Sequence, residues 1–253
     1  MWNRALVTGA SSGIGKAIAK QLSAAGTDLV LVARDGDRLT ALASSLDVRC
    51  EVLQADLGDP AELLLVESRL ESETDPIDLL VNNAGLGFSG SFADMDRAQA
   101  SYVIAVNVVA VQRLTHAALS RMRTVDGGTI LNVSSLAGEA VGANSATYNA
   151  TKAFVTNLGQ SLAVELADTN ITLTTLLPGF TTTEFRERAG TDSSDIPDIL
   201  WQSAEAVAAA ALSAAANGAV EVVPSKRYRA IRATNHLLPA RVRRTAASRV
   251  MKR

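Results

Sequence analysis

The chain has 253 residues, of which 47% are hydrophobic and 20% are charged; this balance excludes a disordered or fibrous chain and suits one large or two small globular domains. Its single cysteine, Cys50, excludes an intrachain disulfide and suits a reducing, cytoplasmic compartment. No uninterrupted apolar run reaches the roughly 18 residues of a membrane span, and the first strand is expected too close to residue 1 for a leader peptide.

Short apolar runs alternate with longer amphipathic stretches along the chain. The runs predict seven β-strands, at residues 5–8, 28–33, 50–55, 77–82, 128–134, 171–177 and 219–223. Stretches between them, such as 14–26 and 60–72, have the period of a helix. Apolar strands separated by helices are typical of a parallel sheet that is buried on both faces. The series therefore predicts one Rossmann-like, doubly wound α/β domain over residues 1–224, with a seven-stranded, mostly parallel sheet and helices on both faces.

The first predicted strand runs into a glycine-rich turn, TGASSGIG at residues 8–15, and a helix follows at once. Gly9, Gly13 and Gly15 allow the backbone to turn tightly and to bring N–H groups close to an anion. The N-terminus of the helix adds unpaired donors and a partial positive charge, which suit a pyrophosphate. The turn alone leaves two interpretations open, a dinucleotide-binding turn and a tight strand–helix turn without a ligand.

The residue after the second predicted strand bears on the choice of dinucleotide. Ala33 ends that strand and Arg34 follows, whereas an NAD site places an acid there to accept the ribose hydroxyls. An arginine pairs bidentately with a 2′-phosphate. The pattern therefore predicts a preference for NADP(H) over NAD(H), although Asp35 and Asp37 lie close by and the glycine turn carries no basic residue.

Tyr148 and Lys152 lie four residues apart in a predicted helix, so that both side chains fall on one face, one turn apart. A free tyrosine has a pKa of about 10 and is a poor proton shuttle at neutral pH. A lysine ammonium about 4 Å away, at an effective dielectric near 20, favours the phenolate by roughly 4 kcal/mol. Such a shift would suit general acid–base catalysis. The alternative is a solvated pair on a helix, and the spacing alone does not decide.

Seven motifs in chain order resemble those of the short-chain dehydrogenase/reductase family. They are the TGxxxGxG turn, Asp56 after strand three, NNAG at 82–85, Asn107 within VNVVA, NVSS at 132–135, and Tyr148 with Lys152 followed by PGFTTT at 178–183. The resemblance extends over residues 4–223. It implies an oxidoreductase that interconverts a carbonyl and an alcohol with a nicotinamide cofactor.

The resemblance also implies the roles of individual residues. Tyr148 supplies the proton, and Lys152 is its charge partner and binds the nicotinamide ribose. Ser135, rather than its neighbour Ser134, holds the substrate oxygen, and Asn107 holds a water that links Lys152 to solvent. The implied cofactor contacts are Gly9, Ser11, Ser12, Gly13, Ile14, Gly15, Arg34, Asp56, Leu57, Asn83, Ala84, Gly85, Tyr148, Lys152, Pro178, Gly179, Thr181 and Thr183.

Two segments bear on the substrate. In the family the segment 184–202 closes over the substrate, and together with 86–92 it predicts a partly apolar pocket for an apolar or lipid-like substrate.

His116, His236 and Cys50 do not have the spacing of metal ligands, so no metal site is expected. The alternative function is a dinucleotide-binding sensor or scaffold without turnover, which would not need the catalytic set.

Residues 225–253 form a basic C-terminal extension. Residues 226–253 hold ten of the 24 Lys and Arg residues and no Asp or Glu, which leaves 14 basic against 26 acidic residues in the rest of the chain. The segment 226–238 predicts an amphipathic helix that is broken at Pro239. Three interpretations stay open: a helix packed on the acidic body or on a partner subunit of a homodimer or homotetramer, a peripheral membrane contact, and nucleic-acid binding, which the acidic body disfavours.

Overall fold

The computed structural model describes residues 2–185, 189–190 and 196–237, and in this part of the chain strands and helices alternate as predicted. The strands are β1 Arg4–Thr8, β2 Asp28–Ala33, β3 Cys50–Gln54, β4 Leu79–Asn82, β5 Gly128–Val133, β6 Ile171–Leu176, β7 Thr181–Thr182, β8 Gln202–Ser203 and β9 Glu221–Val222. The α-helices are α1 Gly13–Ala24, α2 Gly36–Ala43, α3 Pro60–Glu71, α4 Arg97–Ile104, α5 Val111–Thr124, α6 Ala146–Glu165, α7 Ala204–Ala216 and α8 Lys226–Leu237.

The main sheet has seven strands in the order β3-β2-β1-β4-β5-β6-β9, and all of its pairings are parallel. This confirms the predicted doubly wound fold, and each predicted strand lies within two residues of its observed bounds. The strand order reverses between β1 and β4. In open α/β sheets a crevice forms at such a switch point, outside the carboxyl ends of the strands, and ligands bind there.

Both faces of the sheet are covered by helices, which explains why most side chains of its central strands are apolar and buried. One buried cluster joins the sheet to α1, α2 and α7, and the other joins it to α3, α5 and the end of α6. In α7 the buried side chains are mostly alanines, so that this helix lies close to the strands. A separate pair of short strands, β7 and β8, connects the segment after β6 to the start of α7.

Helices α4 and α5 form one continuous helical stretch that is widened at its centre. A π-helical turn at Ala105–Ala110 joins them and contains Asn107 of the VNVVA motif. Such π-turns are frequent at functional sites. By length and composition the stretch Arg97–Thr124 could cross a membrane, but half of its most apolar window is buried in the fold, as in the core helix of a globular domain.

The predicted helix of the C-terminal extension is present as α8, Lys226–Leu237. The predicted break at Pro239 and the rest of the basic segment, residues 238–253, lie outside the described residues. Tyr228 of α8 is buried among side chains of the main body. The described part of the extension therefore packs on the domain, while a division of the chain at residue 224 stays a prediction.

Candidate active site

A cleft of about 1360 Å³ lies at the carboxyl ends of the central strands. Ligand pockets usually measure about 300–1,000 Å³, so that this cleft has room for a dinucleotide and a second molecule. Every site residue predicted from the sequence lines it except Gly15 and Asn107, which are both buried. One end is rich in charged side chains, and the other end is mostly apolar.

The glycine-rich turn has a backbone that other residues would not adopt easily. Gly9 and Gly13 have positive φ angles of 64° and 55°. A Cβ atom on Gly15 would lie 2.5 Å from the Gly9 carbonyl oxygen. Helix α1 begins at Gly13, and the side chain of its N-cap residue, Ser12, makes no capping hydrogen bond. The turn thus brings bare backbone and a helix N-terminus to the cleft, which fits the pyrophosphate of a dinucleotide.

Asn83 fixes this turn against the end of β4. Its Nδ2 donates to the carbonyl oxygens of Thr8 at 2.9 Å and Gly9 at 3.2 Å. The hydroxyl of Thr8 accepts hydrogen bonds from the backbone N–H groups of Asn83 and Ala84. The adjacent Asn82 is buried and donates to Asn132 Oδ1 at 2.9 Å, bridging β4 and β5. The two asparagines therefore brace the sheet and set the floor of the cleft.

At the charged end, three side chains form a hydrogen-bonded chain. Arg34 Nη1 donates to the Tyr102 hydroxyl at 2.9 Å, and that hydroxyl donates to the Asp56 carboxylate at 2.7 Å. Burial, followed by the hydrogen bond to Asp56, raises the pKa of Tyr102 above its usual value. Nearby, Arg38 pairs with Glu184 at 2.8 Å and with Asp35 at 3.3 Å. The uncharged Tyr102 hydroxyl therefore holds Arg34 at the mouth of the cleft.

Tyr148 and Lys152 lie on the same face of α6, as their spacing predicts. Lys152 Nζ lies 5.9 Å from the centroid of the Tyr148 ring and donates to the Val133 carbonyl oxygen at 2.8 Å. Its side chain is almost wholly buried, and this desolvation lowers the pKa of the ammonium to about 8. The tyrosine therefore has a cation beside it at neutral pH.

The two serines after β5 point to different places. Ser134 is buried, and its hydroxyl is bonded to the Lys152 carbonyl oxygen at 2.8 Å and to Thr156. Ser135 is half-buried at the cleft, and its Oγ accepts from the Ala137 N–H at 3.1 Å. Ser135 also caps a 3₁₀ helix, Leu136–Glu139, which forms part of the cleft wall. The structure thus presents Ser135 to a ligand and places Ser134 in the interior.

Asn107, fully buried in the π-turn, links two walls of the cleft. Its side-chain amide forms a pair of hydrogen bonds, each 2.8 Å, with the backbone of Leu86. Its Nδ2 also donates to Thr151 Oγ1 at 3.0 Å, and that hydroxyl donates to the Tyr148 carbonyl oxygen. Asn107 therefore positions the loop after β4 against α6, and its predicted link to Lys152 through a water stays a prediction.

The apolar end of the cleft comes from four segments of the chain. Phe185, which lies in the predicted closing segment 184–202, has its ring centroid 5.5 Å from that of Tyr148. The remaining apolar lining includes Leu86, Phe88, Leu136, Val141, Phe180, Ala189 and Ile231. Trp201, from the same segment, packs against Phe180 with a centroid distance of 6.0 Å. Residues 186–188 and 191–195 of the predicted closing segment lie outside the described residues.

Several residues of the cleft carried no signal in the sequence. Tyr102 lies in a helix far from the motifs it joins, and the acid partners of Arg232 are 93 and 11 residues away along the chain. Among the residues that the structure describes, no three His, Cys, Asp or Glu side chains lie close enough together to hold a metal ion. The cleft therefore depends on a dinucleotide turn and on the Ser–Tyr–Lys group beside it.

A doubly wound sheet with these features at its switch point defines a dinucleotide-binding oxidoreductase. Residues 3–194 match the family described as short chain dehydrogenase. The chain belongs to the short-chain dehydrogenase/reductase family, whose members are oxidoreductases that use NAD(P).

Three similar proteins illustrate the relationship. Nodulation protein G of Rhizobium sp. (strain N33) is 37% identical over 177 residues, which are 70% of this chain and 72% of that protein. The short-chain dehydrogenase from Sphingobium yanoikuyae in complex with NADPH is 37% identical with a TM-score of 0.84, over 92% of this chain and 93% of that one. The bulky-bulky ketone specific alcohol dehydrogenase from Comamonas testosteroni is 31% identical with a TM-score of 0.78, over 94% of this chain and 95% of that one.

Proposed function

We propose that this protein is an NADP(H)-dependent oxidoreductase that interconverts a carbonyl and an alcohol on an apolar, bulky or lipid-like substrate. The observation that carries the proposal is the grouping of Ser135, Tyr148 and Lys152 on one wall of a cleft whose floor is a dinucleotide-binding turn. A dinucleotide sensor without turnover, the alternative, would have no use for a buried lysine beside a tyrosine.

In this reaction the reduced nicotinamide, when bound, supplies a hydride to the carbonyl carbon. Tyr148 gives its phenolic proton to the carbonyl oxygen and becomes a phenolate, while Ser135 donates a hydrogen bond to the same oxygen. Lys152 stabilises the phenolate: its ammonium lies 5.9 Å from the ring centroid, and a separation of about 6 Å at an effective dielectric near 20 corresponds to about 3 kcal/mol. Solvent then returns the proton to Tyr148, and oxidation of the alcohol is the reverse.

The preference for NADP(H) is supported by the charged end of the cleft. No acid ends β2, and Arg34 is held at the mouth by Tyr102, where a 2′-phosphate could pair with its guanidinium. Arg38 lies near the same mouth. The Sphingobium relative is described as a complex with NADPH. The acid Asp35, which would repel the phosphate, is already paired with Arg38.

The choice of substrate class is supported by the opposite end. Its lining is apolar and includes two aromatic rings, Phe180 and Phe185. The charged groups there among the described residues, Glu139 and Arg232, are paired with each other. The Comamonas relative is described as specific for bulky-bulky ketones. An uncharged carbonyl compound with apolar groups on both sides would match this lining.

The test is oxidation of NADPH, followed by its absorbance, against ketones, aldehydes, ketosteroids and 3-ketoacyl thioesters, with NADH in parallel. We expect turnover with at least one apolar carbonyl, faster with NADPH than with NADH. Tyr148→Phe is expected to abolish turnover while its dissociation constant for NADPH, read from fluorescence, stays within about twofold because only a hydroxyl is lost. Retained turnover in that variant would overturn the mechanism, and NADPH binding without turnover on any substrate would favour the sensor.

We further propose a cytoplasmic homodimer or homotetramer. Exposed apolar side chains on the long helices support it, namely Ile104 and Val109 near the π-turn and Val164 on α6. Light scattering at several concentrations measures the mass, and a monomer at all of them would exclude this assembly.

A peripheral membrane contact is supported by Val141 and Ile231, which are both exposed at the cleft, and by the basic residues of 226–253, of which Lys226, Arg227 and Arg229 are exposed on α8. Flotation of the full chain with anionic and with neutral vesicles tests it. We expect binding to anionic vesicles that high salt reverses, and no binding at low salt would rule it out.

A further inference from the structure

We propose that helix α8 is a strap over the active site, in which Arg232 is a positioning residue that acts on Ser135 through Glu139. The proposal rests on the function proposed above, because it assigns a role within the same site. It also assigns a role to α8, the described part of the basic extension, which takes no part in the reaction proposed above.

Arg232 is held by two carboxylates from different parts of the fold. Its Nε and Nη2 contact the two oxygens of Glu139 at 2.8 and 2.6 Å, which is a bidentate pair. The same guanidinium bonds both oxygens of Glu221, which belongs to β9. All three side chains are about four-fifths buried. The arrangement therefore differs from an ordinary surface ion pair, whose geometry and energy are loose.

Glu139 is the last residue of the short helix that Ser135 begins. The Ser135 hydroxyl accepts from the Ala137 N–H inside this turn, so that the orientation of the hydroxyl follows the orientation of the turn. The turn also lies directly on α6, because a Cβ atom on Gly138 would come within 2.6 Å of the Lys152 carbonyl carbon. When Arg232 restrains Glu139, it therefore also restrains the Ser135 hydroxyl and the α6 backbone at Lys152.

The other contact of α8 is with the turn after β6. The Tyr228 ring lies against Gly179, where a Cβ atom would come within 2.1 Å of Cε2. The Tyr228 hydroxyl accepts from the Phe180 N–H and donates to the Leu200 carbonyl oxygen, each at 3.0 Å. The Leu136 N–H donates to the Pro178 carbonyl oxygen at 3.1 Å and joins the two turns directly. Helix α8 therefore fixes the positions of both loops that flank the substrate end of the cleft, the turn after β5 and the turn after β6.

The consequence concerns rate more than binding of the cofactor. Displacement of a catalytic group by about 1 Å can cost on the order of a hundredfold in rate. The glycine turn, which is proposed to hold the pyrophosphate, makes none of these contacts; of the predicted cofactor contacts they reach only the Pro178–Gly179 turn and the Lys152 backbone. Loss of the Arg232 clamp should therefore lower kcat much more than the affinity for NADPH.

The experiment compares Arg232→Met, Arg232→Lys and Glu139→Gln with a matched control, Arg229→Met. Arg229 is exposed on the same helix, one turn away. For each full-length variant we measure kcat and KM with the best carbonyl substrate, the Kd for NADPH, and hydrogen exchange of a peptide covering residues 134–141. The exchange measurement does not depend on activity.

We expect kcat to fall at least about tenfold in Arg232→Met, with partial rescue in Arg232→Lys and a smaller loss in Glu139→Gln. The Kd for NADPH should stay within about twofold, amide exchange in 134–141 should rise in proportion to the loss of kcat, and Arg229→Met should behave as the wild type. If Arg232→Met does not fold, the lysine and glutamine variants carry the comparison.

Two results would overturn the proposal: unchanged exchange in 134–141 in all clamp variants, or a loss of kcat that Arg229→Met shares. A failure of the proposed function would look different, because the wild type itself would then bind NADPH and turn over no carbonyl. In that case the exchange data alone decide whether Arg232 orders the Ser135 turn.

Discussion

Replacement of Lys152 by methionine should make the protein more stable at neutral pH while removing its activity. Methionine has nearly the length of lysine and carries no charge. Lys152 is buried, and its ammonium is bonded to the Val133 carbonyl oxygen. The folded protein therefore bears the desolvation cost of a cation that the unfolded chain leaves in water.

The size of that cost follows from the pKa of the lysine. Burial lowers it from 10.5 to about 8, which corresponds to about 3 kcal/mol at 1.36 kcal/mol for each pH unit. Loss of the hydrogen bond to Val133 returns about 1 kcal/mol. Lys152→Met should therefore raise the free energy of unfolding by about 2 kcal/mol, and the Tm by about 5 °C for a chain of this size.

The pH dependence separates this explanation from a general gain in packing. Below pH about 8 the lysine is charged in both the folded and the unfolded chain, so that the full cost is present. Between about 8 and 10.5 the folded chain has lost the proton and the unfolded chain keeps it, so that the wild type gains stability as the pH rises. By pH about 9.5 the wild type should have gained about 2 kcal/mol in stability, so that the stability advantage of Lys152→Met is largely gone.

Urea unfolding of the wild type and Lys152→Met at pH 7 and pH about 9.5 measures both effects. Lys20→Met, a change at an exposed position of α1, is the matched control and should alter stability by less than about 0.5 kcal/mol at either pH. A variant that is less stable than the wild type at pH 7, or an advantage that does not shrink with pH, would refute the reasoning.

Two further predictions concern the dinucleotide. Gly15→Ala places a Cβ atom 2.5 Å from the Gly9 carbonyl oxygen and must displace the turn, so we expect NADPH affinity to fall at least about tenfold. Gly127→Ala, whose Cβ would meet only the Asn170 carbonyl oxygen at an ordinary contact distance of 3.9 Å, should leave it unchanged in the same fluorescence titration. Tyr102→Phe removes the hydroxyl that separates Arg34 from Asp56; we expect about fivefold weaker NADPH binding with NADH binding unchanged, and equal losses for both dinucleotides would contradict the role of Arg34.

Much of the fold could be predicted because the sheet is central and parallel. Strands buried on both faces are mostly apolar, and β1, β2 and β4 show this directly in the sequence, whereas β6 has three threonines among its six residues. The predicted ends of the strands agree less well than their centres. In β9, for example, only Glu221 and Val222 of the predicted run 219–223 pair with β6. The π-turn at Asn107 could not be predicted, because its extra residue per turn leaves no signature in a pattern of apolar positions.

The cleft was predictable only where its parts lie close together in the chain. The glycine turn and the pair Tyr148 and Lys152 are local patterns with a fixed spacing. The Arg34–Tyr102 contact and the Arg232–Glu139 clamp join residues 68 and 93 positions apart, and their formation depends on the sheet order. A basic excess in the extension is visible in the sequence, but the acids that pair with it are identified only in the folded chain.

The cost of Lys152 also explains why the first turns of α6 are held by polar contacts. A helix that carries a buried cation would lower its energy by moving toward water, unless its backbone were fixed. Three contacts fix it at adjacent residues: Asn107 bonds the Thr151 hydroxyl, the Ser134 hydroxyl bonds the Lys152 carbonyl oxygen, and Gly138 packs on the same peptide. Since each removes freedom from one turn of helix, loss of any one should let Lys152 approach solvent and let its pKa rise toward the ordinary value. Ser134 therefore contributes to the reaction although it does not face the substrate. It holds the α6 backbone at Lys152, so that the ammonium stays buried beside Tyr148.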